Sequence, residues 1–346
     1  MKDGESPPAA GKECLTRQWI EIASNERPFV PHPFISGGHL QTLAASRWRR
    51  RFPSPGSIDF LHLEFPDGSV IRCEWRPVGR NRPVLVILHG MSGSALSDYV
   101  QALAFKAAQK GWSTLLPSLY DRRSDGSRPR IFHAGCSDAA AELVYHAVRL
   151  SQGAPVFLIG VSMGGNIALK YLGEAAGEAQ HHVAAAVMIS PLVDLSASSR
   201  RLNRRSNRLY RWYFVRRLTA AVLSGADRSK SWVDVEALRH IRTIQEFDEL
   251  VTAPLSGFPS AATYYREASS VDVLHRIRVP TLIIHADDDP LLPYDPLLRQ
   301  DVAKNPFLAV WITNGGGHVG FIEKERRDID RAWAENRALE FLTAVS

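Results

Sequence analysis

Lysine is scarce in this chain: eight lysines stand against 34 arginines in 346 residues. The net charge is nevertheless +6 and the isoelectric point about 9.3, so the basic balance rests almost wholly on guanidinium groups. Such a balance suits nucleic acid or an anionic membrane surface. No nucleic-acid motif accompanies it, and no nucleic-acid partner is expected. Cysteine is scarcer still. Cys14, Cys73 and Cys136 are odd in number and far apart, which argues against a disulfide framework and against a metal site. No run of about 18 apolar residues occurs, so no membrane span is expected. Met1 to Gly11 is polar, contains Pro7 and Pro8, and lacks the apolar centre of a signal peptide. It reads as a disordered leader on a cytoplasmic protein. There are no internal repeats.

What is present is 45% hydrophobic sequence, enough for one large α/β domain with an insertion. Residues 1 to 55 read as an N-terminal arm. In it, Phe29 to Phe34 is extended by two prolines, and a short helix begins at His39, which is read as tying the arm to the body. Arg47 to Arg51 reads as a solvated helix end. Ile58 to Phe65 and Ser69 to Trp75 alternate around Pro66-Asp67-Gly68, a hairpin at a sheet edge. Apolar strands follow at Pro83 to Gly90, Trp112 to Pro117, Val156 to Ile159, Val183 to Ser190, Pro280 to Ala286 and Phe307 to Thr313, with helical sequence between them. Ser137 or Asp138 is placed to cap a helix to Leu150, and Glu323 to Leu342 reads as the last helix. About eight strands, mostly parallel, with helices on both faces are expected. The core is 56–193 and 271–346. Residues 194–270 are too long for a plain connection and read as a helical cap. Arg200 to Arg217 there carries eight arginines, with Leu202, Leu209, Tyr213 and Leu218 spaced broadly as one helical face. It is most simply a solvated face, with peripheral membrane contact as the alternative.

The chemistry centres on Gly160-Val-Ser-Met-Gly164, between the strand ending at Ile159 and Ala/Leu-rich helical sequence. Strand, sharp turn and helix are the setting in which G-x-S-x-G exposes a nucleophilic serine. Serine needs a base. Asn314-Gly-Gly-Gly-His318 follows the last strand, and its glycines free His318 to reach the carboxyl ends of the strands. The imidazole in turn needs a carboxylate. Of Asp287-Asp-Asp289, Asp289 has the favoured spacing after the strand, with Asp288 the alternative. The backbone amides of Met163 and Met91 are the expected oxyanion donors. His133 and Asp138 also match an H-x4-D spacing seen in some acyltransferases, although a loop histidine before a capping aspartate matches it equally.

Several stretches together resemble the YheT-like branch of the α/β-hydrolases. They are Gly38-His-Leu-Gln-Thr42, His89-Gly-Met-Ser-Gly-Ser94, Gly160 to Asn166, Arg242-Thr-Ile-Gln-Glu-Phe-Asp248, Tyr264 to Ser269, Asp288-Asp-Pro290 and Gly316 to Phe321. The branch includes bacterial proteins classed as esterases, lipid-active abhydrolase-domain proteins and ethanol-ester-forming acyltransferases. The resemblance implies an α/β-hydrolase fold with Ser162, Asp289 and His318 as charge-relay residues. Ser92 departs from the acidic residue frequent in relatives. Arg242 to Asp248 is expected to hold the cap through ion pairs. The expected activity is hydrolysis of carboxylic esters with short to medium acyl chains through an acyl-enzyme. Transfer to an alcohol is the alternative, and a lipid hydrolase at a membrane surface or a binding protein is a weaker one. A small-molecule or lipid ester is the expected partner, and no metal or cofactor is implied.

Overall fold

Val84–Leu88 (β3), Val156–Val161 (β5), Ala185–Ile189 (β6) and Thr281–Ala286 (β7) are buried along their whole length, as strands covered on both faces must be. They form the centre of an eight-stranded sheet in a computed structural model that describes residues 18–21, 23–53, 56–119, 130–224, 233–325 and 328–345. The other strands are Asp59–Glu64 (β1), Val70–Arg76 (β2), Ser113–Ser118 (β4) and Leu308–Thr313 (β8), in the order β1-β2-β4-β3-β5-β6-β7-β8. Pairing is antiparallel at the hairpin edge, where Asp59 faces Trp75, and parallel from β4 to β8. The expected mostly parallel sheet is therefore present.

Alternate side chains of β3 feed opposite cores. Val84, Val86 and Leu88 pack with Leu143 and Ala147 of helix α3 (Ser137–Ser151) and Ile167 and Leu172 of α4 (Met163–Ala175). Leu85 and Ile87 pack with Leu103 of α2 (Asp98–Gln109) and with Phe341 and Leu342 of α8 (Trp333–Ala344). The chain leaves β3 toward β4 on one side and returns at β5 on the other. The crevice at the carboxyl ends of β3 and β5 is thus the switch point where open α/β sheets gather ligands.

Between β6 and β7 the chain departs at Asp194, whose carboxylate caps α5 (Leu195–Leu202) by accepting from the Ala197 amide at 2.8 Å. It continues through α6 (Arg208–Ser224), short helical turns and α7 (Ala261–Ala268). The two ends of this excursion are fastened together. Leu195 N–H donates to Ser269 Oγ at 3.0 Å, and Val271 N–H donates to the Val193 carbonyl at 3.1 Å.

Four expectations need correction. The last helix starts at Trp333 rather than Glu323, because the preceding segment bridges Pro31 to Glu323 and Ile322 to Ala332. Tertiary backbone partners there outweigh local helical preference. Arg50 is not solvated: it pairs with Glu335 and Asp330, beside the buried Lys106. Helix α3 is capped by neither Ser137 nor Asp138, since Ser137 donates to Glu174 and Asp138 pairs with Arg130. Finally, Leu209 and Tyr213 point outward; the inward face of α6 is Tyr210, Phe214, Leu218 and Val222. The expected leader and the loop at 120–129 lie outside the described residues.

Candidate active site

Strand β5 ends at Val161, and the φ of 54° and ψ of −116° at Ser162 hold that residue in a strained conformation between strand and helix. Its amide donates to the Ile189 carbonyl at 3.0 Å, and its carbonyl accepts from Gly165, Asn166 and Leu192. The turn is this tight because Gly160 and Gly164 lack side chains. A Cβ on Gly164 would lie 2.3 Å from the Leu88 carbonyl oxygen, and one on Gly160 would lie 2.6 Å from that of Gly164. Ser162 thereby stands at the amino end of α4.

His318 comes to it from the loop after β8. Its Nε2 lies 3.0 Å from Ser162 Oγ, and its Nδ1 lies 2.8 Å from Asp289 Oδ2. Asp289 is fully buried, and its Oδ1 accepts from the amides of Leu291 at 2.7 Å and Leu292 at 3.0 Å. Burial alone would raise its pKa. The charge and hydrogen bond of His318, with His285 and the Leu292 amide, outweigh this and hold the carboxyl below its ordinary value. The neighbouring aspartates position the loop instead. Asp287 accepts from the Gly315 amide at 2.7 Å, and Asp288 accepts from the Gly317 amide at 2.8 Å.

The two methionine amides make no hydrogen bond among the described residues. Met163 follows Ser162. Met91 follows Gly90, where a Cβ would lie 3.2 Å from that of Ser162. The loop carrying Met91 is braced by buried His89, whose Nδ1 donates to the Gly90 carbonyl at 2.8 Å while its Nε2 accepts from the Leu119 amide at 3.1 Å. Tyr99 O–H accepts from the Gly90 amide at 2.8 Å.

Several residues around the site had no role assigned from the sequence. Thr42, on helix α1 (Gly38–Arg47), accepts from the His318 amide at 2.8 Å, and Ser190 accepts from that of Val319 at 3.2 Å. Arg201 of α5 donates to the Asp289 carbonyl at 2.6 Å. Asn166, fully buried, donates to the carbonyls of Ala134 and Ala268 and accepts from the Ser270 amide, joining α4 to the return of the excursion. An asparagine amid the small and apolar residues of α4 is the signal that could have found it.

One expected role is met and another changes. His39 is exposed and ties the arm to α6, stacking on Tyr210 at 5.7 Å with its Nδ1 3.3 Å from the Tyr210 hydroxyl. Gln41 ties the arm, through both the carbonyl and the amide of Ile322. Arg242 to Asp248 forms no ion pair among the described residues. Thr243 and Glu246 make a capping box there, and buried Asp248 accepts from Tyr265 O–H at 2.8 Å and Thr252 O–H at 2.7 Å. His133 and Asp138 are not hydrogen-bonded to each other. His133 Nδ1 accepts from the Gly135 amide, and burial pushes the imidazole down to about 4.

Residues 83–325 match the family described by the alpha/beta hydrolase fold. Across 326 residues the chain is 31% identical to YheT of Escherichia coli (strain K12), to which an esterase activity is ascribed, covering 92% of this chain and 94% of that protein. It is 28% identical over 287 residues to the medium-chain fatty acid ethyl ester synthase/esterase 2 of Saccharomyces cerevisiae, covering 75% and 62%. The structure of the Pyrococcus furiosus esterase Pf2001 superposes with a TM-score of 0.54 at 16% identity, covering 86% of this chain and 96% of that one, a likeness of fold.

Proposed function

The chain belongs to the α/β-hydrolase family, and from that premise we propose that it is a serine hydrolase of carboxylic esters, with Ser162 as nucleophile, His318 as base and Asp289 as the orienting acid. The observation that carries this reading is the unbroken line Ser162 Oγ, His318 Nε2, His318 Nδ1, Asp289 Oδ2, at 3.0 and 2.8 Å. Ser162 gives its proton to Nε2 as Oγ bonds to the carbonyl carbon. The oxygen, now anionic, takes hydrogen bonds from the amides of Met91 and Met163. The imidazolium, steadied by Asp289, protonates the departing alkoxide and leaves an acyl-enzyme. His318 then deprotonates water, which attacks the acyl carbon, releases the carboxylate and restores Ser162.

Residues 194–270 serve in this reading as a cap. Met163, Leu192 and Phe258 are half-buried against its cluster of Ala253, Tyr264 and Tyr265, an apolar surround beside the nucleophile. This favours short to medium acyl chains. The likeness to a fatty acid ethyl ester synthase/esterase supports a second outcome from the same acyl-enzyme, in which ethanol or another alcohol replaces water. The cytoplasm is the proposed site of action, and the arginines of α5 and α6 are proposed to meet a membrane surface.

Labelling with a fluorophosphonate probe and peptide mapping, with Ser162→Ala as control, tests the reading. Label on Ser162 that the variant loses is expected; folded wild-type protein that takes no label would overturn it. Activity on p-nitrophenyl esters should then peak between butyrate and decanoate, and added ethanol should divert product to ethyl ester if transfer competes.

A further inference from the structure

Among the described residues, eight of the fourteen exposed large apolar side chains lie on three segments. Phe34, 88% exposed, precedes α1, which presents Leu40 and Leu43 outward; Leu96, 73% exposed, lies in the loop after β3. On α6, Leu209 and Trp212 are 72% and 59% exposed, and Tyr213 and Leu223 are also exposed. Residues 209, 212, 216 and 223 fall on one helical stripe.

Three contacts close these segments into a ring. The His39 ring of α1 stacks on Tyr210 of α6, Arg217 of α6 donates to the Ser92 carbonyl at 3.3 Å, and Arg49 just beyond α1 pairs with Asp98 at 3.8 Å. Each segment also reaches the triad. Thr42 holds the His318 amide, Gly90 lies against Ser162, and the Tyr210 phenol is pushed up by burial and by the charge of Asp289. The apolar ring is therefore the rim of the active site.

The three segments carry charge of one sign, with Asp98 at their edge paired to Arg49. No acidic residue occurs between Glu26 and Asp59, between Arg76 and Asp98, or between Asp194 and Asp227. Arg47, Arg49, Arg204, Arg205, Arg208, Arg216 and Arg217 are all exposed on these segments. The Arg216 guanidinium lies 5.4 Å from the Trp212 ring centre. Exposed aromatic and aliphatic side chains interleaved with arginines fit the boundary between headgroups and acyl chains of an anionic bilayer.

We propose that this rim docks on the surface of an anionic phospholipid bilayer, so that the ester enters Ser162 from the lipid side. The proposal rests on the esterase reading for the meaning of the rim, and its test is independent of turnover. The Ser162→Ala chain is floated with vesicles of phosphatidylcholine alone and of phosphatidylcholine mixed with phosphatidylglycerol. Partition onto the mixed vesicles should exceed that onto neutral ones by about tenfold and fall with added salt. The pair Leu209→Ser with Trp212→Ser, and the set Arg205→Gln, Arg208→Gln and Arg216→Gln, should each lower it by about tenfold. The same changes on wild-type Ser162 should leave lipid-free fluorophosphonate labelling unaltered. Equal partition onto the two vesicles, or no loss in either variant, overturns the proposal. So does a lipid-free dimer, seen by sedimentation velocity and broken by Leu209→Ser with Trp212→Ser, which would assign the rim to a second copy of the chain.

Discussion

The turn that carries the acid and the helix that overhangs it differ in what holds them. Around Asp289 the fastenings are short and mostly sheltered: Leu291 and Leu292 amides lie buried on its carboxylate, Gly317 on Asp288 and Thr42 on the His318 amide are half-buried, and the Gly315 bond to Asp287 is exposed. Helix α6 keeps only its inner stripe on apolar neighbours and meets the rest of the rim through His39 and Ser92, both at the surface. Buried hydrogen bonds to a carboxylate fix one geometry, because breaking them strands a charge away from water. Exposed contacts compete with solvent, so they locate a helix at little cost to its movement. In the proposed reading the chemistry sits in the more tightly held part, and the entrance in the more exposed one.

The difference can be pressed hardest at the acid. Asp289→Asn should lower kcat/KM by about 10⁴ by fixing the wrong imidazole tautomer. Asp288→Asn, whose parent carboxylate accepts from the Gly317 amide, should cost about tenfold; equal losses in the two would contradict their separate roles. A stability measurement sharpens the same contrast away from the site. Lys106 is buried between Asp330 and Glu335, which also hold Arg50. Lys106→Met should therefore cost about 3–5 kcal/mol in denaturant unfolding.

The excursion holds a smaller, pH-dependent term. Burial pushes Asp248 up to about 6, above the ordinary 3.8, while Thr252 and Tyr265 hydroxyls pull the other way. The folded chain thus binds this proton more tightly than the unfolded one. Its contribution favours folding at low pH and is lost as pH rises from about 4 to about 6. Asp248→Asn should remove that slope and raise stability at pH 7 relative to pH 4 by on the order of 2 kcal/mol, read as the difference in unfolding free energy between wild type and variant. The smallest effect belongs to the rim: Arg217→Gln should change KM by less than about threefold and leave kcat in place, since its bond to Ser92 is exposed.

Much of the site was legible because its chemistry demands particular residues at particular local spacings. Gly160 and Gly164 announce a turn that no side chain can enter, and three glycines before His318 announce a loop free to bend. In the Asp287 to Asp289 run, spacing after the strand favoured Asp289 and left Asp288 as the alternative, and it is Asp289 that meets His318. Three identical side chains at consecutive positions differ only in direction, and direction depends on how Gly315, Gly317 and His318 come back from β8. Thr42 and Arg201 were unreadable as site residues for the same reason: each acts across more than 80 residues of chain on a single backbone group.

The sequence by itself determined the central strands, whose apolar runs suit a sheet covered on both faces, and the serine turn, whose constraints are local. It also determined the one-signed charge of the rim segments, since charge is carried by composition. Only the tertiary structure decided which aspartate meets His318, that Arg50 is an internal ion rather than a solvated one, and that α6 turns Leu209 and Trp212 outward. Those outcomes depend on partners distant in sequence, and burial and Coulomb energy are properties of the assembled neighbourhood rather than of the residue.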